Sequence, residues 1–262
     1  MISIKTPEEI RIMAEGGKIL AGIMEELKKK VKPGITTKTL DRLAESLILK
    51  SGGKCSFKGY EDFPACLCTS INEEIVHAIP SDRKITAGDI ISLDLGILFK
   101  GFHTDMAVTL PVGKIEPEVS RLIRTTKRTL AEGIKEIKPG KTIGHLSRAI
   151  QAYAESQGFS VIRELCGHGI GREIHEDPQI LNYFSKAAKN KEKTFDCKES
   201  GPKIKEGMVL CLEPMIAVGG WRIEKSGDGH GFKTADGSLS CHFEQTIAVT
   251  KNGAKVLTPC PL

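Results

Sequence analysis

The chain has 262 residues, 40% of them hydrophobic and 27% charged, with a formal net charge of +5. That is ordinary globular composition, enough for one large domain or two half-domains sharing a core, and no run approaches the ~20 apolar residues of a bilayer-spanning helix. Lys5, Glu8 and Glu9 follow Met1 with no apolar segment behind them, which argues against a secretory leader. The eight cysteines form no CxxC pair, so reduced cytosolic thiols are expected, not a disulfide framework or a zinc knuckle. A cytoplasmic protein follows, with no membrane association.

In chain order, Thr6-Pro7-Glu8-Glu9 predicts a helix start, with Thr6 as cap, Pro7 at the first helical position and Glu9 completing a capping box. Ile10, Met13, Gly17, Leu20, Met24, Leu27 and Val31 continue as an amphipathic stripe that ends at Pro33-Gly34. A second helix is expected from about Thr37 to Lys50, stopped by Gly52-Gly53. The chain then repeats itself. Lys32-Pro33-Gly34-Ile35-Thr36 returns as Lys138-Pro139-Gly140-Lys141-Thr142, each followed at equal offsets by Leu40 or Leu146, Arg42 or Arg148, and Gly52 or Gly158. A further amphipathic helix, carrying Val119, Leu122, Thr126, Leu130, Ile134 and Ile137, precedes the second copy.

Strand segments repeat as well. Ile85 to Asp94 aligns with Ile204 to Glu213, and His103-Thr104-Asp105 with His242-Phe243-Glu244. One domain over residues 1–262 is expected, built from α+β halves of about 1–112 and 113–262 related by a pseudo-two-fold. Between Asn182 and Lys205 lysines outnumber acids, a local +4. The segment is expected to be a solvated loop or a contact to a polyanion such as RNA.

The duplication yields four matched carboxylates, Asp94, Asp105, Glu213 and Glu244. From Ile90 to Ile97, Ile91, Leu93, Leu95 and Ile97 alternate with Ile90, Ser92, Asp94 and Gly96, placing Asp94 on the more polar face of a strand. Lys100-Gly101 turns the chain, so Asp105 returns opposite or diagonal to Asp94, roughly 5–8 Å away at Cβ. Converging anions beside apolar runs repel one another and pay for desolvation unless cations compensate. A short strand from Val161 to Leu165 is expected to lead into Cys166-Gly167-His168-Gly169-Ile170-Gly171, where flanking glycines let backbone approach and free the His168 imidazole to act as a ligand. This run is not the dinucleotide-binding fingerprint. Four carboxylates and one imidazole suit Mn, Fe(II) or Co better than a structural zinc, and bridging acids can hold two ions about 3.5 Å apart, where hydroxide forms at neutral pH.

Over nearly its whole length the chain resembles the type I methionine aminopeptidases, which have the pita-bread fold. The likeness is carried by Ser70-Ile71-Asn72-Glu73 with His77-Ala78-Ile79-Pro80, by Gly88 to Gly96, and by Gly101-Phe102-His103-Thr104-Asp105. It continues through Gly167 to Gly171 with His175-Glu176, Glu213-Pro214-Met215, and Ser238-Leu239-Ser240 ahead of Glu244. The resemblance implies a single catalytic domain that removes the initiator methionine from nascent polypeptides when a small residue follows. Two divalent ions would be held by Asp94, Asp105, His168, Glu213 and Glu244. Asp105 and Glu244 would bridge, Asp94 would serve one ion, and His168 and Glu213 the other.

The same resemblance implies attack on the scissile carbonyl by metal-bound hydroxide, with Glu213 moving the proton. His77 would hold substrate near its amine or scissile nitrogen, and His175 would steady the oxyanion. Tyr60, Phe63, Cys68 and His77 would form the methionine pocket, and a monovalent cation would sit near Asn72 and Ser240. The chain departs from the family pattern at Ile174, where an aromatic is usual. The usual tryptophan before Ser238 also has no match: His230 falls near that position and Trp221 lies earlier. The basic stretch 182–205 looks like an insertion, and contact with ribosomal RNA is one expected use of it. A monomer is expected. An X-Pro aminopeptidase or prolidase shares these ligands but usually carries an extra N-terminal domain. A non-catalytic binding relative would have lost ligands that are present here.

Overall fold

The computed structural model describes residues 1–184 and 201–260; most of the basic stretch 182–205 lies outside the described residues. Helix α1 (Pro7–Lys28) starts as expected. The Thr6 hydroxyl accepts from the Glu9 N–H (3.2 Å) and the Glu9 carboxylate accepts from the Thr6 N–H (2.9 Å). It stops short of Val31, because Pro33 disfavours helix before it and Lys30 and Val31 close tighter bonds back to Leu27 and Lys28. Helix α2 (Thr37–Lys50) has the expected bounds, and α3 (Pro117–Lys135) and α4 (Ile143–Ser156) occupy the same places in the second half.

The strands are β1 (Lys54–Cys55), β2 (Leu67–Ile71), β3 (Glu74–Val76), β4 (Ile90–Phe99), β5 (Phe102–Pro111), β6 (Ser160–Val161), β7 (Cys166–Gly169) and β8 (Glu176–Leu181). They continue as β9 (Val209–Leu212), β10 (Met215–Ala217), β11 (Ile223–Lys225), β12 (Phe232–Thr234), β13 (Ser240–His242), β14 (Glu244–Thr250) and β15 (Gly253–Val256). Among the described residues one curled nine-stranded sheet runs β1-β4-β5-β14-β9-β7-β8, with β2 also on β4 and β15 on β14. Its strand pairs are antiparallel. Two small sheets, β13-β10-β6 and β11-β12-β3, flank it. The architecture is α+β, the pita-bread fold.

Alternation along the strands divides the sheet into two faces. Ile91, Leu93, Leu95 and Ile97 of β4, Met106 and Val108 of β5, Leu210 and Leu212 of β9 and Ile247 and Val249 of β14 pack with α1 to α4 in the main core. Residues between them, Asp94, Asp105, Ala107, Cys211 and Thr246, therefore point to the opposite face. Equivalent loops of the halves make equivalent bonds. The Gly34 N–H donates to the Ile85 carbonyl (2.8 Å) as the Gly140 N–H does to Ile204 (3.0 Å), and the bridge Thr36 to Lys84 is matched by Thr142 to Lys203.

Two expectations need correction. His168 lies within strand β7 itself, and the strand expected at Val161–Leu165 is reduced to Ser160–Val161, because β10 pairs only with those two residues. Cys55 and Cys66 are joined in a disulfide where reduced thiols were expected; pairing of β1 and β2 with the same edge of β4 places them side by side.

Candidate metal centre

Strand register assembles the site. Asp94 of β4 faces Ala107 of β5, and Ala107 faces Glu244 of β14, so the two carboxylates flank a small residue across three neighbouring strands. Asp105 pairs with Gly96, one of the two arrangements expected, diagonal to Asp94. The Thr246 hydroxyl fixes Asp105 by accepting from its N–H (2.8 Å) and donating to its carbonyl (2.7 Å). A second row, Thr246, Cys211 and His168, crosses β14, β9 and β7. Glu213 follows immediately after β9, and Asn182 donates to its carbonyl (3.0 Å). Glycines flank His168 because nothing larger fits. A Cβ on Gly169 would lie 2.1 Å from the Asp177 carbonyl oxygen, and one on Gly167 would lie 2.4 Å from that of Cys211.

Ligand atoms of Asp94, Asp105 and Glu244 lie within 4.8 Å of one another, as do those of His168, Cys211 and Glu244. Asp94, Asp105 and Glu244 are 6%, 3% and 2% exposed. Burial, then the neighbouring carboxylates, hold Asp94, Glu213 and Glu244 well above the usual carboxylate range. Burial pushes Asp105 up to about 7, opposed by the Met106 N–H that donates to its carboxylate. His168 is driven down to about 3, first by burial and then by His175. Its Nδ1 lies 2.8 Å from the Gly169 carbonyl, an acceptor, so the lone pair is on Nε2, which faces Glu213 Oε1 at 3.4 Å.

Two lone pairs so placed repel unless a proton or cation lies between them. Asp94 Oδ1, Glu213 Oε1 and Glu244 Oε1 are buried with no hydrogen-bond partner, and buried carboxylate oxygens left bare are costly. The donor set therefore fits divalent ions, oxygen-rich with one neutral imidazole.

The centre floors a cleft of about 430 Å³ onto which every residue expected for metal, catalysis or the methionine pocket opens, while Asn72 and Ser240 of the expected monovalent-cation position are not among its lining residues. His175 Nδ1 lies 3.0 Å from the Tyr60 hydroxyl, and its ring stands edge-on to those of Tyr60 and His168. His77, at φ 60, stands edge-on to Phe232, a strained backbone of the kind found at functional sites. Phe63, Ala65 and Cys68 form a small apolar cluster on the wall. Ile174 also lines the cleft, and His230 meets Phe63 edge-on at 5.5 Å. Trp221 lies against Arg163 and Arg222 and is not among the lining residues. Near the expected monovalent-cation position, the Ser240 hydroxyl donates to the Asn72 and Glu74 carbonyls (3.2 and 3.0 Å).

Cys211 was not anticipated beside the carboxylates. Its signal was present, since it stands two residues before Glu213, but the run Leu210-Cys211-Leu212 read as purely apolar. His242 is a second buried surprise, 1% exposed with both ring nitrogens unpartnered.

A family model for metallopeptidase family M24 matches residues 11–251. Methionine aminopeptidase 1 of Bacillus subtilis (strain 168) is 46% identical over 98% of this chain and 99% of its own length. The crystal structure of methionine aminopeptidase from Rickettsia prowazekii superimposes with a TM-score of 0.92 at 36% identity, covering 99% of this chain and 100% of that one. A Xaa-Pro dipeptidase from Bacillus anthracis shares the fold at a TM-score of 0.77 and 23% identity, but this chain covers 62% of it. No helix among the described residues is long and apolar enough to cross a membrane. With full-length relatives and the family model in agreement, this chain belongs to metallopeptidase family M24 and, within it, to the methionine aminopeptidases.

Proposed function

We propose that the chain is a cytoplasmic, monomeric catalytic domain that removes the initiator methionine from nascent polypeptides, preferring a small second residue. The observation that carries this reading is the convergence of Asp94, Asp105, His168, Glu213 and Glu244, with bare buried oxygens, at the floor of a cleft walled by Tyr60, Phe63, Cys68 and His77. Those five side chains would hold two divalent ions of the Mn, Fe(II) or Co type, and a monovalent cation would sit near Asn72 and Ser240. When bound, the metal pair supplies Lewis acidity and hydroxide near neutral pH. The preference for a small second residue is supported by family membership alone.

The chain's own residues supply orientation and proton movement. Glu213 Oε1, buried with no hydrogen-bond partner, faces the cleft and is placed to take up and release a proton beside the scissile bond. His175 is oriented through Nδ1 by Tyr60, which leaves Nε2 to donate to the carbonyl oxygen as negative charge develops there. Desolvation within the cleft, then His175 and His230, pushes His77 down to about 4, so it meets substrate as a neutral imidazole able to hydrogen-bond the amine or scissile nitrogen. The apolar wall of Phe63 and Cys68 suits an unbranched thioether side chain. The lysine-rich stretch 182–205 is proposed to touch ribosomal RNA, a reading supported only by its charge.

The test gives metal-stripped protein Met-Gly, Met-Lys and Ala-Pro peptides with Mn, Co or Fe(II), and follows products by mass spectrometry. Metal-restored release of methionine from Met-Gly alone is expected. Cleavage of Ala-Pro instead would move the assignment to the proline-specific branch, and silence with every metal would return it to a binding protein.

A further inference from the structure

Residues 56–65 interrupt an otherwise continuous sheet edge. Strands β1 and β2 lie end to end along one side of β4: Cys55 faces Ile97 and Leu67 faces Leu95, so Cys66 holds the position next to Cys55 and the residues between are extruded. The Cα atoms of Cys55 and Cys66 are 5.2 Å apart, and the disulfide closes the loop at its base. Phe57, Tyr60 and Phe63 all line the cleft from this loop, and the Tyr60 hydroxyl reaches His175 across it. The loop turns on Gly59, Glu61 and Asp62 at φ 88, 45 and 61, two of them non-glycine residues in a costly conformation. Ser56 still anchors its start, donating to the Gly96 carbonyl (3.1 Å) and pairing its hydroxyl with His103 (2.9 Å), but from Phe57 to Phe63 bonds internal to the loop, such as Gly59 N–H to the Phe63 carbonyl at 2.8 Å, replace a strand ladder. A segment built this way belongs to the easily opened part of a fold.

We infer that Cys55 and Cys66 are positioning residues: their bridge holds the 56–65 loop, and with it Tyr60 and Phe63, in the conformation that binds substrate. Opening the bridge lowers substrate affinity and leaves the metal ligands in place. This inference rests on the reading that the cleft takes an N-terminal methionine. Cys66 is fully buried whereas Cys55 is partly open, so exchange begins at Cys55. One thiolate of a small dithiol attacks Cys55 Sγ; the S–S bond breaks, and its electron pair passes to Cys66 Sγ, which takes up a proton. The second thiol of the reagent then displaces Cys55, which is also protonated, and the dithiol leaves as its cyclic disulfide.

The test compares three metal-loaded proteins: wild type purified without reductant, wild type opened with a dithiol and then desalted, and the Cys55→Ser/Cys66→Ser variant. Digestion of the first is expected to release a linked peptide pair containing Cys55 and Cys66. The other two should show a KM for a Met-Gly peptide raised about tenfold, with kcat lowered no more than the roughly fivefold that loss of the Tyr60–His175 contact accounts for. They should also share faster amide exchange over residues 56–65, with none over residues 90–111. Absence of the linked pair, or equal KM and equal exchange in all three, would overturn the inference. Failure of every form to cleave the peptide would count against the assigned reaction, while the exchange comparison still decides whether the bridge holds the loop.

Discussion

The floor and the rim of the cleft are built by different means. On the floor, Asp94, Asp105, Glu244 and His168 project from strands whose register is fixed by a hydrophobic face packed under α1 to α4, and a one-residue slip would turn every one of these side chains into the core. At the rim, Tyr60, Phe63, His77 and His230 sit on turns and loop ends. Tyr60 is 37% exposed, and backbone at Glu61, Asp62 and His77 lies at positive φ. A sheet-fixed floor can concentrate charge at high cost because it cannot relax away from it. A loop-built rim can adjust to a side chain, and one disulfide or one stacking contact can change it.

The contrast is broken most severely at Asp105. Asp105→Asn removes a carboxylate from the cluster while keeping its shape, and methionine release is expected to fall by at least about 10³-fold, beyond the 10–100-fold typical of an outer partner. A large activity residue in highly purified variant would show that the floor is not the reacting centre.

Gly169→Ala tests whether the floor is held as tightly as its register suggests. The new Cβ would meet the Asp177 carbonyl oxygen at 2.1 Å, so a loss of about 2–4 kcal/mol is expected in denaturant unfolding. The same substitution at Gly59, where nothing lies near a Cβ, meets only the φ penalty and should cost about 1 kcal/mol.

The metal-free floor should also carry a pH signature. Asp105 at about 7, and Asp94, Glu213 and Glu244 well above their ordinary values, bind protons in the folded state that the unfolded chain has released. Stability therefore falls as pH rises through these values. The depressed values of His168 and His77, about 3 and about 4, act oppositely but only below the unfolded histidine value near 6.5. Above about pH 6.5 only the carboxylate effect remains, so metal-stripped protein should melt at progressively lower temperature from pH 6.5 to 8, and added Mn should reverse the trend. A flat profile would mean the carboxylates are already compensated.

The smallest effect belongs to the rim. Tyr60→Phe removes the hydroxyl bonded to His175 and keeps the ring, so a loss of about 1 kcal/mol, roughly fivefold in kcat/KM, is expected. A loss as large as that of Asp105→Asn would erase the distinction between floor and rim.

The same division explains what could be read in advance. Period-two alternation from Ile90 to Ile97, the Lys100-Gly101 turn and the duplication of Asp94 as Glu213 specify faces and register, so the convergence of the acids was legible. The bounds of α2 and the capping box of α1 were equally local and equally legible. Cys55 and Cys66 become neighbours only because two strands share an edge of β4, which no local pattern records. Cys211 was hidden by apolar flanks. His230 could be placed near the missing tryptophan, but its edge-on contact with Phe63 depends on how the β11-β12 hairpin folds over the cleft.

Whether these five side chains hold the metal that drives methionine release is decided by titrating metal-stripped protein with Mn while measuring bound metal and methionine released from a Met-Gly peptide in the same samples. Release rising in step with bound Mn in the wild type, and both lost in Glu244→Gln, whose carboxylate is common to both donor groups, is the expected result. Full release before any Mn is bound, or Glu244→Gln protein that binds and cleaves like wild type, would contradict it.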